Sequence, residues 1–225
     1  MNGNNIENVQ TKVNSFSMSQ FFYFFIKRIF DIIVSLIGIA FLIPIYLVVR
    51  IAYMLTGDFH SIIYTHGRIG KDGVVFKLYK FRSMCIDADE KLQKLLKENK
   101  DFKKEYEINK KLSNDPRITK VGKFIRRYSI DELPQLVNIF LGDMSLIGNR
   151  PYLPKEKTDM GKFFDDIVKT KPGLTGYWQV SGRNDVSFRR RLELEQYYSN
   201  HQGFKIDFHI FFKTFDVVLH GRGAK

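Results

Sequence analysis

The sequence is poor in cysteine, proline and tryptophan. Its 225 residues include one Cys, six Pro and one Trp. The single Cys85 excludes a disulfide scaffold and a zinc site built from several cysteines, and it fits a reducing compartment. The low proline content, together with 44% hydrophobic and 27% charged residues, excludes a disordered, collagen-like or low-complexity chain.

Several common catalytic signatures are also absent. The five histidines are dispersed, and none has the spacing of a HExxH or similar metal motif. The sequence contains no GxSxG, no P-loop lysine motif and no complete GxGxxG strand–helix unit. ATP and dinucleotide chemistry therefore have no support in the sequence.

Positive charge is abundant and unevenly distributed. The sequence has 36 Lys and Arg against 24 Asp and Glu, a formal charge of +12. Residues 1–58 hold four basic and three acidic residues, a net charge of +1, which leaves +11 for residues 59–225. A basic body of this kind suits an anionic partner, which leaves phosphates, nucleic acid and a lipid headgroup surface as candidates.

Residues 32–49 form an apolar run without a charge, and the aromatic cluster at residues 21–25 precedes it. The composition is that of a membrane segment, but a helix of this length rises only roughly 27 Å. Pro44 removes one N–H within the run, and basic residues flank both of its ends. We therefore predict a re-entrant helix–break–helix over residues 21–58, with the break at Pro44. A cleaved signal peptide and a buried helix of a soluble protein are the alternatives.

The rest of the chain predicts an α+β fold that is mainly helical. Residues 1–20 have no apolar period and predict a disordered leader, and residues 59–225 predict a compact domain. The predicted elements of that domain are a small β-hairpin at residues 61–65 and 74–81, a solvated amphipathic helix within 86–112, a core-facing helix at 133–141 and an amphipathic C-terminal segment at 206–219. The C-terminal segment either lies on a membrane surface or packs against the domain.

An acidic pair, Asp131-Glu132, precedes the helix at residues 133–141. We predict that Asp131 is the N-cap of this helix, which places Pro134 at a tolerated position in the first turn. A carboxylate at a helix N-terminus among guanidinium groups is expected to stay ionised and to meet a phosphate together with a divalent ion. This combination suits phosphoryl transfer; alternatively, Asp131 is only a helix cap and Glu132 a surface residue. The neighbouring turns supply Arg126, Arg127, Arg150 and Arg183.

A series of motifs over residues 27–223 resembles the bacterial sugar transferases, the small monotopic polyprenyl-phosphate phosphoglycosyl transferases. In chain order, the motifs are Lys27-Arg28-x-Phe30-Asp31, Pro44 within the apolar run, Arg68-x-Gly70, Lys80-Phe81-Arg82-Ser83-Met84, Arg126, Ser129-x-Asp131-Glu132-Leu133-Pro134-Gln135, Gly142-Asp143-Met144-Ser145, Arg150-Pro151 and Pro172-Gly173-x-Thr175-Gly176-x-Trp178-Gln179-Val180-x-Gly182-Arg183.

The resemblance implies an enzyme that transfers a sugar 1-phosphate from a UDP-sugar to undecaprenyl phosphate and releases UMP. This reaction is the first membrane step in making a surface polysaccharide or glycoconjugate. The resemblance also implies Mg²⁺ as cofactor, the bilayer as partner, and a catalytic domain at the cytoplasmic face of the bacterial inner membrane. In that family an aspartate forms a covalent phosphosugar intermediate.

Carried onto this sequence, the resemblance makes Asp131 the nucleophile and a metal ligand, and Glu132 its partner in metal or proton handling. The residues that it assigns to substrate binding are Lys80, Arg82, Arg126, Arg150, Gln179 and Arg183.

The alternative function is a membrane-anchored basic module that binds anionic lipid or nucleic acid without catalysis. The phenylalanines cluster in the apolar ends rather than among the basic residues, so we expect no nucleic acid partner. The apolar run and the aromatic C-terminal segment are both candidate surfaces for a homo-oligomer.

The sequence departs from the family pattern at two positions. Asn149 stands where members commonly have Pro ahead of Arg-Pro, which predicts a different shape for the loop around Arg150. Ile43 stands where small members often have Ser before the membrane proline, so no hydroxyl is available there to satisfy a backbone carbonyl that Pro44 leaves free.

Overall fold

The computed structural model describes residues 18–109, 112–182 and 186–219, and the fold is mainly helical with short strands. Residues 1–17 of the predicted leader and Arg183 lie outside the described residues. The helices are α1 (Met18–Leu55), α2 (Ala88–Glu98), α3 (Lys100–Asn109), α4 (Lys120–Arg127), α5 (Gln135–Leu141), α6 (Lys157–Met160), α7 (Phe164–Ile167), α8 (Tyr177–Val180), α9 (Phe188–His201) and α10 (Phe204–Leu219). The strands are β1 (Ile63–Ile69), β2 (Val75–Phe81), β3 (Ser145–Ile147) and β4 (Gly173–Thr175).

One face of helix α1 packs against the rest of the protein. Its buried residues recur at helical spacing over almost the whole length: Tyr23, Asp31, Ser35, Val49 and Tyr53. Near its middle, a Cβ added at Gly38 would lie 2.7 Å from a methyl group of Leu136, so the glycine permits a close approach of α1 to α5. The remaining faces expose large apolar side chains, and α1 is long and apolar enough to cross a membrane.

Pro44 lies inside α1, and the helix continues through it. The predicted break is therefore wrong as a gap in helical structure. Proline removes one N–H donor and crowds the carbonyl four residues before it, which can kink a helix without ending it. Packing also supports both halves, because Gly38 meets α5 on one side of Pro44 and Val49 joins a core cluster with Phe81 and Ile125 on the other.

Strands β1 and β2 form the predicted hairpin, paired antiparallel from Ile63↔Phe81 to Ile69↔Val75. Asp72 and Gly73 both have positive φ in the turn that joins them. On β2, Leu78 packs into a core cluster with Leu136 and other residues around α5, which fixes the hairpin beside that helix. Strands β3 and β4 pair in parallel, and β3 contacts α1 and α10.

The predicted helix within residues 86–112 is two helices, α2 and α3. Asn99 separates them, because its backbone is extended and its side-chain Oδ1 accepts the N–H groups of Asp101 and Phe102. Such capping starts a new helix and ends the previous one. Helicity in this stretch is confirmed, but its continuity is not.

Packing against the domain, one of the two alternatives for the C-terminal segment, is confirmed for α10, and the membrane-surface alternative stays a prediction. Asp207 and Ile210 are buried against the domain, whereas Phe208, Phe212 and Phe215 are exposed. Ring contacts join α10 to α1, between Phe30 and Phe211 among others. The two helices therefore present a shared apolar surface, formed by their exposed side chains.

Candidate active site

The acidic pair lies in a tight turn between α4 and α5. Ser129 has a positive φ of 56°, which reverses the chain after α4, and residues Ile130–Glu132 form a single 3₁₀ turn. The N-cap of α5 is Pro134, so the prediction that Asp131 caps the helix is wrong. Proline has no N–H to lose and fits the start of a helix, which moves the cap beyond Asp131. The turn instead holds Asp131 at the wall of a cleft.

Asp131 lines a cleft of about 760 Å³ together with Lys80 and Arg126. Burial raises the pKa of its carboxyl group, and the neighbouring Glu132 raises it further, whereas Lys80 and Arg126 lower it. The net direction is upward, which is opposite to the effect expected from the surrounding cations alone. Desolvation outweighs the attraction of the nearby cations here.

Lys80 interacts electrostatically with the carboxylates of both Asp131 and Glu132. Its Nζ lies 2.8 Å from Oε1 of Glu132, and its charge also lowers the pKa of Asp131. The hairpin places it there, since Lys80 is on β2 opposite Tyr64 and β2 packs beside the acidic turn. The predicted trio of Lys80, Asp131 and Glu132 is therefore brought together by the fold.

A small polar pocket adjoins the cleft and shares Lys80 and Arg68 with it. Four of its lining residues were predicted from the sequence to bind substrate or to act in catalysis. Arg68 and Trp178 also line it and were not predicted as substrate residues. The four predicted residues in its lining are Lys80, Glu132, Arg150 and Gln179.

Three guanidinium groups cluster at this pocket. Burial lowers the pKa of Arg68 to about 10, and the charge of Arg150 lowers it as well. The pKa of Arg191 is also lowered, again by burial and by Arg150. Glu156, with Oε2 3.9 Å from Arg68, offsets part of this repulsion. Half-buried cations that depress one another's pKa are typical of a site for an anion.

Three buried nitrogen atoms in the same region have no hydrogen-bond partner among the described residues: Arg150 Nε, Trp178 Nε1 and Arg191 Nε. The guanidinium carbon of Arg191 lies 4.3 Å from the centre of the Trp178 ring, so the indole also supports a cation. Buried donors are normally paired. These donors fit a ligand that carries several acceptor oxygens.

The loop that carries Arg150 is held in place by hydrogen bonds to the buried Glu195. The backbone N–H of Arg150 donates to Oε1 of Glu195 at 2.9 Å, and the hydroxyl of Tyr152 donates to Oε2 at 2.6 Å. Glu195 is 1% exposed, and burial raises the pKa of its carboxyl group to about 7. Neither Glu195 nor Arg191 was predicted, because both lie in α9, far along the chain and without a local motif.

Asn149, the departure from the family pattern beside Arg150, is buried and has a structural role. Its Nδ2 lies within hydrogen-bond distance of the Ile167 carbonyl, Thr170 Oγ1 and Ser199 Oγ. These contacts attach the loop to α7 and α9. The Asn149 amide therefore restricts the loop through hydrogen bonds, where a proline would restrict the backbone torsion φ.

Two predicted substrate residues make structural contacts. The Arg82 guanidinium group is buried, donates to both carboxylate oxygens of Asp58 and to the Ser61 carbonyl, and stacks on Tyr53. Arg82 also lines the cleft with Asp131, so its assignment to substrate stays a prediction. Arg126 lines the cleft with Asp131, but its Nε donates to Ser83 Oγ.

No cluster of three or more His, Cys, Asp or Glu side chains suited to a metal occurs in residues 18–109, 112–182 and 186–219. The adjacent carboxylates of Asp131 and Glu132 nevertheless fit Mg²⁺, which is commonly held by one or two carboxylates together with substrate phosphates and water. Magnesium at this cleft would therefore depend on a phosphorylated ligand for most of its coordination.

Comparison with known proteins finds a match to the family model described as bacterial sugar transferase, over residues 22–221. An undecaprenyl-phosphate galactose phosphotransferase of Salmonella typhimurium is 44% identical over 203 residues, covering 89% of this chain and 42% of the relative. An exopolysaccharide production protein ExoY of Rhizobium meliloti is 39% identical over 198 residues, covering 88% of this chain and 87% of the relative. A UDP-N-acetylgalactosamine-undecaprenyl-phosphate N-acetylgalactosaminephosphotransferase of Aeromonas hydrophila is 32% identical over 214 residues, covering 90% and 46%.

The chain spans less than half the length of some of these relatives, and most of the length of others. The matched region includes the acidic turn, the hairpin and the Arg150 loop.

Proposed function

The chain belongs to the bacterial sugar transferase family, and we propose that it transfers a sugar 1-phosphate from a UDP-sugar to undecaprenyl phosphate with release of UMP. The observation that carries this proposal is the meeting of a half-buried carboxylate, Asp131, with Lys80 and a pocket lined by the half-buried Arg68 and Arg150. The names of two relatives support undecaprenyl phosphate as acceptor, and one of them supports a UDP-sugar donor.

The first step is an attack by the Asp131 carboxylate on the phosphorus that carries the sugar. A bond forms between Asp131 Oδ and this phosphorus, and the bond to the bridging oxygen breaks, so UMP leaves with that oxygen and its electron pair. The product is an acyl phosphate that still carries the sugar. Covalent catalysis of this kind divides one difficult exchange into two easier ones.

In the second step, an oxygen of the undecaprenyl phosphate attacks the same phosphorus. The bond to Asp131 breaks, which restores the carboxylate and yields a lipid diphosphate sugar. Lys80, Arg68 and Arg150 hold the charged phosphoryl oxygens in both steps. Glu132, paired with Lys80, fixes the position of that ammonium group beside the reacting carboxylate.

We assign Mg²⁺ to Asp131 and Glu132 together with the phosphates of the donor. When bound, the ion offsets the negative charge of the phosphoryl oxygens. Removal of Mg²⁺ with EDTA is expected to abolish turnover, and re-addition of the ion to restore it.

We further propose that α1 and α10 dip into the cytoplasmic leaflet of the inner membrane and that α1 does not cross it. Charged contacts and core contacts attach α1 to the same body on both sides of Pro44. A helix held in this way cannot place its two ends on opposite faces of a bilayer. The exposed phenylalanines of α1 and α10 provide the apolar surface that such immersion requires.

The experiment that tests the reaction measures UMP release by the purified protein in detergent with Mg²⁺. A panel of UDP-sugars is assayed with and without undecaprenyl phosphate. We expect lipid-dependent release from at least one sugar by the parent protein and by Asp159→Asn, an exposed control carboxylate, and none by Asp131→Asn.

Two results would contradict the proposal in different ways. Substantial turnover by Asp131→Asn would refute the nucleophile and leave the transfer itself intact. An absence of UMP with every sugar in the parent protein would refute the transfer and favour the anion-binding module.

A further inference from the structure

An apolar groove of about 360 Å³ lies between α1 and α10. Val34 lines it from α1, and Phe211 and Phe215 line it from α10. Its volume falls within the range of small-molecule pockets, roughly 300–1,000 Å³. Other side chains that line it are Leu133, Leu146, Ile147, Leu174 and Val180.

The inner end of this groove meets the polar pocket. Glu132, Leu174 and Gln179 line both spaces, so the two lie on either side of a shared wall. On one side the environment is apolar, and on the other it contains Lys80 and Arg150. The combined shape is complementary to an amphiphile with an anionic head and a hydrocarbon chain.

We propose that this groove binds the isoprenoid chain of the polyprenyl phosphate acceptor, with the phosphate at the Glu132–Gln179 end. The inference rests on the proposed function, since it names the place where that acceptor binds. The groove is bounded by the same two helices that present the shared apolar surface, so a lipid reaches it sideways from the bilayer. The phosphate then approaches the acidic turn without leaving the membrane boundary.

A second apolar cavity, of about 270 Å³, competes for this role. It lies near Pro44 and is lined by Val48, Phe124 and Ile130, among others. None of its lining residues belongs to the polar pocket. A lipid chain in that cavity would have no shared wall along which its phosphate could reach the cations, so the groove between α1 and α10 is the better site.

The kinetic test uses tryptophan substitutions on α1 to fill the groove and the second cavity separately. Val34→Trp fills the groove, Val48→Trp fills the second cavity, and Ile33→Trp adds an indole on an exposed face of α1. We expect Val34→Trp to raise the KM for undecaprenyl phosphate about tenfold or more and to leave the KM for a two-isoprene acceptor phosphate within about twofold of the parent value. The two control variants should keep the parent KM for both acceptors.

Formation of the covalent sugar-phosphate adduct without lipid shows that each variant is folded and separates this proposal from the proposed function. Adduct formation by Val34→Trp with an unchanged KM for undecaprenyl phosphate would overturn the groove assignment alone. An increase in KM confined to Val48→Trp would overturn it in favour of the second cavity.

A binding measurement keeps the test independent of turnover. The parent protein is irradiated with a polyprenyl phosphate that carries a diazirine beyond its second isoprene unit, and the labelled peptides are identified by mass spectrometry. We expect label on the peptide containing Phe211 and Phe215, and loss of that label in Val34→Trp. Label confined to α4, which borders the second cavity, or no specific label, would overturn the proposal.

Discussion

Lys27 near the start of α1 and Asp207 in α10 form an ion pair with 2.5 Å between Nζ and Oδ2, and both side chains are largely buried. Two tyrosine hydroxyls, from Tyr23 and Tyr198, donate to the same carboxylate. The pair joins residues that are 180 positions apart in the sequence. It gives a structural reason for a lysine in a helix that is otherwise so apolar.

Loss of Lys27 is expected to destabilise the protein strongly. Lys27→Met leaves the carboxylate of Asp207 buried without its cation, which costs about 3 kcal/mol in comparable pairs. The midpoint of thermal unfolding in detergent should therefore fall, whereas Lys213→Met, on an exposed part of α10, should leave it unchanged. The double variant Lys27→Met/Asp207→Asn should recover much of the loss, because it removes the unpaired charge. An unaltered midpoint in Lys27→Met would show that the pair contributes little.

Lys80→Met is expected to shift the acidic limb of the pH–activity profile to higher pH. The charge of Lys80 lowers the pKa of Asp131, so its removal raises that pKa further and reduces the ionised fraction of the carboxylate at any given pH. The rate of adduct formation, followed from pH 5 to pH 9, measures the shift. Lys77→Met, on an exposed position of the same strand, provides the control. A lower rate with the limb unmoved would assign Lys80 to substrate binding alone.

Arg150→Lys is expected to weaken binding of the donor. Lysine keeps the positive charge but loses the planar, forked array of donors that suits phosphate oxygens. A loss of one such charged hydrogen bond, about 1.5–3 kcal/mol, corresponds to a roughly 10- to 100-fold increase in KM for the UDP-sugar. Arg189→Lys, an exposed change on α9, should leave the KM unaltered. If the two variants behaved alike, the arginine pocket would not be the donor site.

Much of the fold follows from local patterns in the sequence. The hairpin, the apolar first helix, the helix that follows the acidic pair and the amphipathic C-terminal helix each carry their own periodicity, which is why they were predicted. The predicted break at Pro44, inferred from the short apolar run, its basic flanks and the proline, is wrong as a gap in helical structure. Contacts with Leu136 and with the cluster around Val49 support α1 from outside the helix, and no local pattern reports such contacts.

The site could be predicted in part. The motifs place Lys80, Glu132, Arg150 and Gln179 in one site, and the structure brings them together. Arg82 follows Lys80 by two residues, which places both on the same side of an ideal strand. Strand β2 ends at Phe81, and the guanidinium group of Arg82 pairs with Asp58 while the residue still lines the cleft, a pairing that no local pattern reports.

Glu195→Gln is expected to remove a pH dependence of stability. In the folded protein the pKa of Glu195 is about 7, above the 4.5 of a free glutamate, so the folded state binds its proton more tightly. Stability should therefore fall as the pH rises from about 4.5 to about 7, by an amount on the order of 3 kcal/mol, and stay low above that range. The difference in unfolding midpoint between parent and variant, measured from pH 4 to pH 8, isolates this group. A constant difference would show that folding does not raise the pKa of Glu195.

Both ends of α1 are expected to lie on the same side of the membrane. Met18→Cys and Leu55→Cys place thiols at the exposed ends of the helix, in a background in which Cys85 is replaced by Ser. An impermeant maleimide should label neither thiol in intact spheroplasts and both after permeabilisation. Pro44→Ala should not change this pattern, because a spanning helix would have to break the Lys27–Asp207 pair or pull Val49 from its cluster. Labelling of Met18→Cys alone in intact spheroplasts would show instead that α1 crosses the bilayer.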